Sequence, residues 1–126
     1  MQITSSAVSL TVADVPASSK FLARHFGYAE RMSADGFASL SREDHAPDVI
    51  LLRRGLEVLP EDMREQEAAG VIVAFVVDDL DAEHERLRGL GAPITLPLRE
   101  EPWGERLFMV TDPNGVRYEL VSWVSS

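Results

Sequence analysis

The residue best suited to chemistry in this chain is Glu119, which stands between Tyr118 and Leu120 in an apolar segment. An ionisable side chain inside a strand needs a metal ion, a hydrogen-bond partner or a face open to water, because an unpaired buried charge is costly. If Glu119 is buried without a partner, its pKa should rise, which would suit it to act as a base or as a hydrogen-bond donor. It could equally bond to a neighbouring strand or an arginine and take no part in a reaction.

No nucleophile-base pair for covalent catalysis is visible in the sequence. The chain has no cysteine, which excludes thiolate chemistry, disulfides and cysteine-ligated metals. It also lacks a Gly-x-Ser-x-Gly motif and a glycine-rich phosphate loop. His25 and His84 fall within predicted helices and His45 within a loop, so packing or solvated roles are expected, with a ligand contact by His45 left open.

Several large side chains besides Glu119 could contact a ligand. Trp103 follows a proline at the approach to a strand, where its ring could stack on a flat ligand or cover the end of a sheet. Arg106 follows closely and could pair with Glu119 or with an acidic ligand group. Phe37 and Phe108 stand in strand segments whose alternation could direct them toward a ligand, although core packing is the ordinary role of such residues.

The composition limits the partners of the protein. With 126 residues, 45% of them hydrophobic, the chain is long enough for one compact domain. A net charge of -9 repels nucleic acids and anionic membranes, so neither is expected as a partner, while cationic or neutral small ligands remain open. No stretch approaches membrane-spanning length and the first residues do not resemble a signal peptide, so a cytoplasmic location is expected.

The elements that position these residues follow a pattern that occurs twice. The segments 7–12 and 71–77 are typical of strands, and each is followed by an acidic cap and a helix that ends before Gly27 or Gly91. An offset of about 65 positions carries the first pattern onto the second. Three short strand candidates follow each helix. The sequence therefore predicts an α+β fold with two tandem βαβββ modules.

The module boundaries follow from the same pattern. Module one covers about 5–54, module two about 71–124, and the connection about 55–70 contains acidic residues and Met63 that favour a short helix. Within module two, Asp112-Pro113-Asn114-Gly115 lies between two apolar segments and predicts a hairpin turn, because proline fixes its φ angle while asparagine and glycine tolerate a positive one.

With this duplicated order, the chain resembles the vicinal oxygen chelate superfamily, which includes glyoxalase I, extradiol dioxygenases, fosfomycin-inactivating enzymes and bleomycin-resistance proteins. The most specific similarity lies in Pro102-Trp103-Gly104, Phe108, Asp112-Pro113-Asn114-Gly115 and Tyr118-Glu119-Leu120, which resemble the C-terminal signature of the glyoxalase and bleomycin-resistance branch. The resemblance implies a single domain over residues 1–126 whose curved mixed sheets surround a cleft, and a homodimer that completes it.

In metal-using members, the resemblance implies ligands on the first and last strands of each module. The matching positions here are Ala7, Ile72, Leu51 or a neighbour, and Glu119, and only the last of these can bind a metal. One carboxylate is fewer than the three or more protein ligands that zinc or non-haem iron needs. Neither a metal nor another cofactor is therefore expected.

Apolar residues at the ligand positions suit a site that holds a molecule rather than one that activates it. We therefore predict a metal-free, homodimeric, bleomycin-resistance-like protein that sequesters an apolar or aromatic compound such as an antibiotic, with binding favoured over catalysis. The alternatives are a glyoxalase-like lyase, isomerase or dioxygenase that uses Glu119 with or without a divalent metal, and a module whose closed cleft serves only partner association. The predicted ligand contacts are Trp103, Arg106, Phe108, Glu119, Phe37, Leu51, Ile72 and Ala7.

Overall fold

The computed structural model describes residues 1–124 and contains the predicted duplication. The chain divides into two compact units, Met1–Ala69 and a second that begins at Gly70. Each unit has a four-stranded mixed sheet and a helix, so the predicted α+β fold with two βαβββ modules is confirmed. The elements are β1 (Ala7–Val12), α1 (Val15–Phe26), β2 (Ala29–Ala34), β3 (Phe37–Ser41), β4 (Asp48–Arg53), β5 (Ile72–Val76), α2 (Leu80–Gly89), β6 (Ile94–Glu100), β7 (Glu105–Thr111) and β8 (Arg117–Trp123).

The two helices begin in the same way, about 65 positions apart. Asp14 caps α1 by accepting a hydrogen bond from the Ala17 amide at 3.1 Å, and Asp79 caps α2 by accepting one from the Ala82 amide at 3.0 Å. Both aspartates have extended backbone angles, which is the usual geometry of a residue that precedes the first helical turn. Repeated local chemistry therefore produces the repeated strand-helix unit.

The end of α1 requires a glycine. Gly27 has a φ angle of 66°, in the left-handed region that terminates many helices. A Cβ atom at this position would lie 3.0 Å from a guanidinium nitrogen of Arg42, so a larger residue would be strained and crowded.

In the first unit the strand order is β1-β4-β3-β2, with β1 and β4 parallel and the other pairs antiparallel. Helix α1 lies against β3 and β4. Leu22 of the helix is fully buried, as are Leu40, Val49 and Leu51 on one face of the sheet. These side chains form the core of the unit, and its opposite face is not covered by α1.

The second unit repeats this topology with the order β5-β8-β7-β6, and β5 and β8 are its parallel pair. Helix α2 lies against β7 and β8. Its buried residues are Leu80 and Leu87, while Phe108, Val110 and Tyr118 of the sheet are fully buried.

The predicted hairpin turn joins β7 to β8. The Asp112 carboxylate is buried and accepts hydrogen bonds from the amides of Asn114 and Val116, both at 2.9 Å, and from the hydroxyl of Tyr118 at 3.3 Å. Gly115 takes the positive φ angle of the turn, 85°. The aspartate thus satisfies the turn amides from inside the unit.

The connection between the modules does not contain the predicted short helix. It consists of turns, and the Gly55 amide donates to the Arg64 carbonyl at 2.7 Å, which joins two parts of the loop. The Arg64 guanidinium donates to the carbonyls of Glu57 and Leu59, both at 3.0 Å. In a helix, each of these two carbonyl groups would accept a hydrogen bond from the amide four residues later. Here the Arg64 side chain donates to them instead.

Over residues 1–124, neither helix is long and apolar enough to cross a membrane.

Candidate ligand-binding face

Only one face of the second sheet carries a helix. Phe108 of β7 pairs with Leu120 of β8, and the His84 ring of α2 meets Phe108 edge-on at a centroid distance of 4.9 Å. Because successive strand residues point to opposite faces, Met109 and Glu119, which pair with each other, lie on the other side. We call this side the open face. Its members on three strands are Ile72, Ala74 and Val76 of β5, Glu105, Leu107, Met109 and Thr111 of β7, and Arg117, Glu119, Val121 and Trp123 of β8.

The accessible part of the open face is largely apolar. Val76 is 71% exposed, Trp123 is 56% exposed and Ile72 is 49% exposed, while Leu107 and Val121 are buried. Large apolar side chains that share one exposed face indicate a surface on which something binds.

Glu119 lies in the middle of this face, between Ala74 on β5 and Met109 on β7. Partial burial raises the pKa of Glu119 above its ordinary value of 4.5, and the negative charge of Glu105 raises this pKa further. No ion pair joins Glu119 to another residue within positions 1–124. Its carboxyl group is therefore partly withdrawn from water without a compensating cation, the situation in which the sequence predicts a raised pKa.

The raised pKa of Glu119 has a consequence for stability. The folded chain holds this proton more tightly than the unfolded chain, so the stabilisation is complete below the unfolded pKa and is lost as the pH rises through the folded pKa. At neutral pH the ionised Glu119 therefore disfavours folding. We expect Glu119→Gln to raise the melting temperature at pH 7, and the gain to shrink as the pH falls toward 4, which thermal denaturation at both pH values measures.

Glu30 supplies a control of opposite sign. Hydrogen bonds from Ser19 and Ser33 lower the pKa of Glu30, so its contribution is present at neutral pH and is lost as the pH falls through the folded pKa. Glu30→Gln should lower the melting temperature at pH 7. A lower melting temperature at pH 7 for Glu119→Gln would contradict the assignment of an unpaired carboxylate at that position.

Two tryptophans frame one end of the open face. The indole nitrogen of Trp103, in the turn before β7, donates to the Glu105 carboxylate at 3.4 Å. Trp123 pairs with Glu105 across the two central strands. Trp103 is 65% exposed, so its ring is available to a ligand, as its place in the sequence predicts. The roles of Glu105, Trp123 and Ala74 were missed in the sequence, although the alternation of β7 and β8 about the turn could have revealed them.

Two residues of β7 that the sequence predicts as ligand contacts lie away from the open face. Arg106 points to the helix-covered face, where its guanidinium binds the Asp81 carboxylate of α2 at 3.1 Å, so it does not pair with Glu119. Phe108 lies on the same covered face and is fully buried. Both have the opposite strand parity from Glu119, which removes them from the open face.

In the first unit, Ala7 and Phe37 lie on the face that α1 leaves uncovered, and Ile72 holds the position matching Ala7 on the open face of the second unit. Leu51, another predicted ligand contact, is fully buried on the helix-covered face and does not lie on the uncovered face. Its neighbour Ile50 has the required orientation, because it pairs with Ser9 as Glu119 pairs with Ala74.

The residues at these positions do not fit a divalent metal. On the open face, the direct neighbours of Glu119 are Ala74 and Met109, neither of which supplies an oxygen or imidazole ligand. Over positions 1–124, no three histidine, aspartate or glutamate side chains come together in a way that could hold a metal ion. A metal held by Glu119 alone would lack the ligands that zinc and iron sites need.

A hollow of about 440 Å³ in the first unit is a weaker candidate. It is lined by Gly27, Ala29, Arg31, Ser41, Arg42, Glu43 and Asp44. Arg42 binds Asp44 at 2.7 Å and Arg31 lies 3.9 Å from Glu43. Its charges are therefore paired within the hollow, and no aromatic or large aliphatic side chain lines it.

Comparison with known proteins identifies the class. Residues 4–120 match the model of the Glyoxalase/Bleomycin resistance protein/Dioxygenase superfamily. The chain therefore belongs to this superfamily, which confirms the resemblance inferred from the sequence at that level. No curated protein matches the chain.

Solved structures share the fold. A glyoxalase/bleomycin resistance protein/dioxygenase from Nocardioides is 24% identical, with a TM-score of 0.80 over 100% of this chain and 87% of its own. TioX from Micromonospora sp. ML1 is 25% identical, with a TM-score of 0.71, and the match covers 97% of this chain and 100% of TioX. A protein from the mobile metagenome of V. Pseudocholerae is also 25% identical, with a TM-score of 0.73, and the match covers 99% of this chain and 98% of that protein.

Proposed function

We propose that this protein binds and sequesters a largely apolar or aromatic small molecule, such as an antibiotic, on the open face of the second sheet. The observation that carries the proposal is the set of exposed side chains Ile72, Val76, Trp103 and Trp123 on the same face as the acidic groups Glu119 and Glu105. Aromatic and aliphatic contacts on a preformed surface supply affinity at a low cost in conformational freedom. Sequestration needs this affinity and no turnover.

The proposal includes a metal-free homodimer of the bleomycin-resistance type. A ligand pocket encloses most of its ligand, and a single sheet face covers a ligand on one side only. A second copy of the chain would supply another surface and would cover the exposed side chains of β5. A cytoplasmic location is also part of the proposal and rests on the sequence.

Titration of the neutral planar compound acridone, followed by tryptophan fluorescence, tests the proposal. Trp103 and Trp123 are the only tryptophans and both belong to the second unit. We expect saturable quenching with a dissociation constant near micromolar, a binding free energy of about 8 kcal/mol. Val76→Ala should weaken binding by about 1 kcal/mol, roughly fivefold, because it removes apolar contact.

Val58→Ala is the matched control. Val58 is 75% exposed, close to the 71% of Val76, but lies in the connection between the modules. Its substitution should leave acridone binding unchanged. Equal effects of the two substitutions, or no quenching by acridone and a panel of aromatic antibiotics, would contradict the proposal.

Sedimentation as a monomer at micromolar concentration would contradict the dimer, and one equivalent of bound metal would contradict the metal-free site.

Catalysis by Glu119 is the second candidate. The raised pKa of this carboxyl group is the observation in its favour, because perturbed carboxyl groups often serve as acids or bases. A lyase or isomerase of this kind would consume its substrate, and Glu119→Gln would stop turnover while leaving acridone binding in place.

A further inference from the structure

The charges on the open face are unbalanced. Glu119 and Glu105 both lie there, and the charge of Glu105 acts on Glu119. Arg117 is the one arginine among the face's residues on β5, β7 and β8, and it forms no ion pair with either glutamate within positions 1–124. At the β6 edge, Arg99 is bound to Glu101. Two carboxylates on this face therefore lack a cationic partner.

Glu119 differs from the other carboxyl groups whose pKa departs clearly from the ordinary value. Hydrogen bonds lower the pKa of Glu30, Asp35 and Asp44. Burial and a like charge raise the pKa of Glu119. A ligand that covers this face must remove still more water from Glu119, which favours a ligand that brings a positive charge.

The aromatic residues at the same end favour the same partner. The Trp103 indole hydrogen-bonds to Glu105, and Trp123 stands opposite Glu105 in the strand register, so both tryptophans belong to the end of the face that carries this carboxylate. The face of an indole ring attracts cations as well as flat rings. A planar cation could therefore contact the indoles and the carboxylates together, whereas an anion would meet two negative charges and a net charge of -9 on the chain.

We infer that the ligand of the open face is an aromatic organic cation, whose ring system packs against Trp103 and Trp123 and whose positive group pairs with Glu119 and Glu105. This inference rests on the proposed function and narrows the class of molecule that the same site takes. The carboxylates select for charge, and the apolar residues of β5 and the indoles supply most of the contact area.

Three tricyclic probes of similar shape test the inference by calorimetric titration at pH 7.5 and low salt: cationic proflavine, neutral acridone and anionic acridone-4-carboxylate. We expect proflavine to bind at least tenfold more tightly than acridone, and the carboxylate to bind most weakly. Glu119→Gln should weaken proflavine binding about tenfold without weakening acridone binding. Higher salt, or acidification through the pKa of Glu119, should weaken proflavine binding specifically.

Glu100→Gln is the control, because Glu100 is an exposed glutamate that pairs with Arg106, whose side chain lies on the helix-covered face. It should leave the affinities for all three probes unchanged. Equal affinities for proflavine and acridone, or an equal loss of both in Glu119→Gln, would overturn the inference and leave the proposed function in place. Failure of all three probes to bind, together with no quenching by the panel of aromatic antibiotics, would overturn both.

Discussion

Phe108→Ala is expected to destabilise the protein by about 3–5 kcal/mol, because it leaves a cavity in the core of the second unit. Phe108 is fully buried and its ring is met edge-on by His84. Such aromatic contacts add about 0.5–1.5 kcal/mol to the effect of burial. Since a small domain is stable by only about 5–15 kcal/mol, the variant should unfold at a much lower urea concentration. Both tryptophans lie in this unit, so their fluorescence reports its unfolding.

The adjacent Met109 provides the control for this prediction. It is half-buried and faces the open side, directly opposite Glu119. Met109→Ala should cost less, about 1–2 kcal/mol, since its side chain is only partly buried. The same substitution should weaken acridone binding, whereas Phe108→Ala should lower affinity only through the loss of folded protein. A larger stability loss for Met109→Ala than for Phe108→Ala would reverse the assignment of the two faces.

Helix boundaries and strand positions were predictable because local chemistry sets them. An acidic residue before an apolar stripe predicts the start of a helix, and Asp14 and Asp79 cap the two helices as expected. Gly27 ends the first helix at a positive φ angle. The short helix predicted for the connection is absent, and the Arg64 side chain bonds there to the carbonyl groups of Glu57 and Leu59. These bonds depend on how the loop itself turns, since they span five and seven residues, and composition does not reveal that conformation.

The site was predictable in part. Glu119 was identified because a charged residue inside an apolar strand is chemically unusual. Arg106 and Phe108 were assigned to its surroundings because they are near in the hairpin, but strand parity places them on the other face. The face on which Arg106 and Phe108 lie, relative to Glu119, follows from the register of the hairpin, and this register depends on how Asp112 organises the turn. One step of register moves every side chain to the opposite face.

Because the turn depends on Asp112, substitution of this residue is expected to cause the second large loss of stability. Asp112→Ala removes an acceptor from the amides of Asn114 and Val116 and from the Tyr118 hydroxyl, and leaves these donors in a buried region. Each buried donor without a partner costs about 1–3 kcal/mol, partly offset where water can enter. We expect a loss of about 3 kcal/mol in the free energy of unfolding at pH 7, measured by urea denaturation followed by tryptophan fluorescence.

Three further variants separate the turn from general effects of charge removal. Asp78→Ala removes an exposed acid of the same unit and should change stability by less than about 0.5 kcal/mol. Asp112→Asn keeps one carbonyl oxygen for the turn amides and should cost about half as much as Asp112→Ala. Tyr118→Phe removes one donor, so its effect combined with Asp112→Ala should be smaller than the sum of the two separate losses. Full additivity, or a loss below 1 kcal/mol in Asp112→Ala, would mean that the carboxylate does not hold the turn. The register that places Glu119 on the open face would then have to depend on the pairing of β7 and β8 alone.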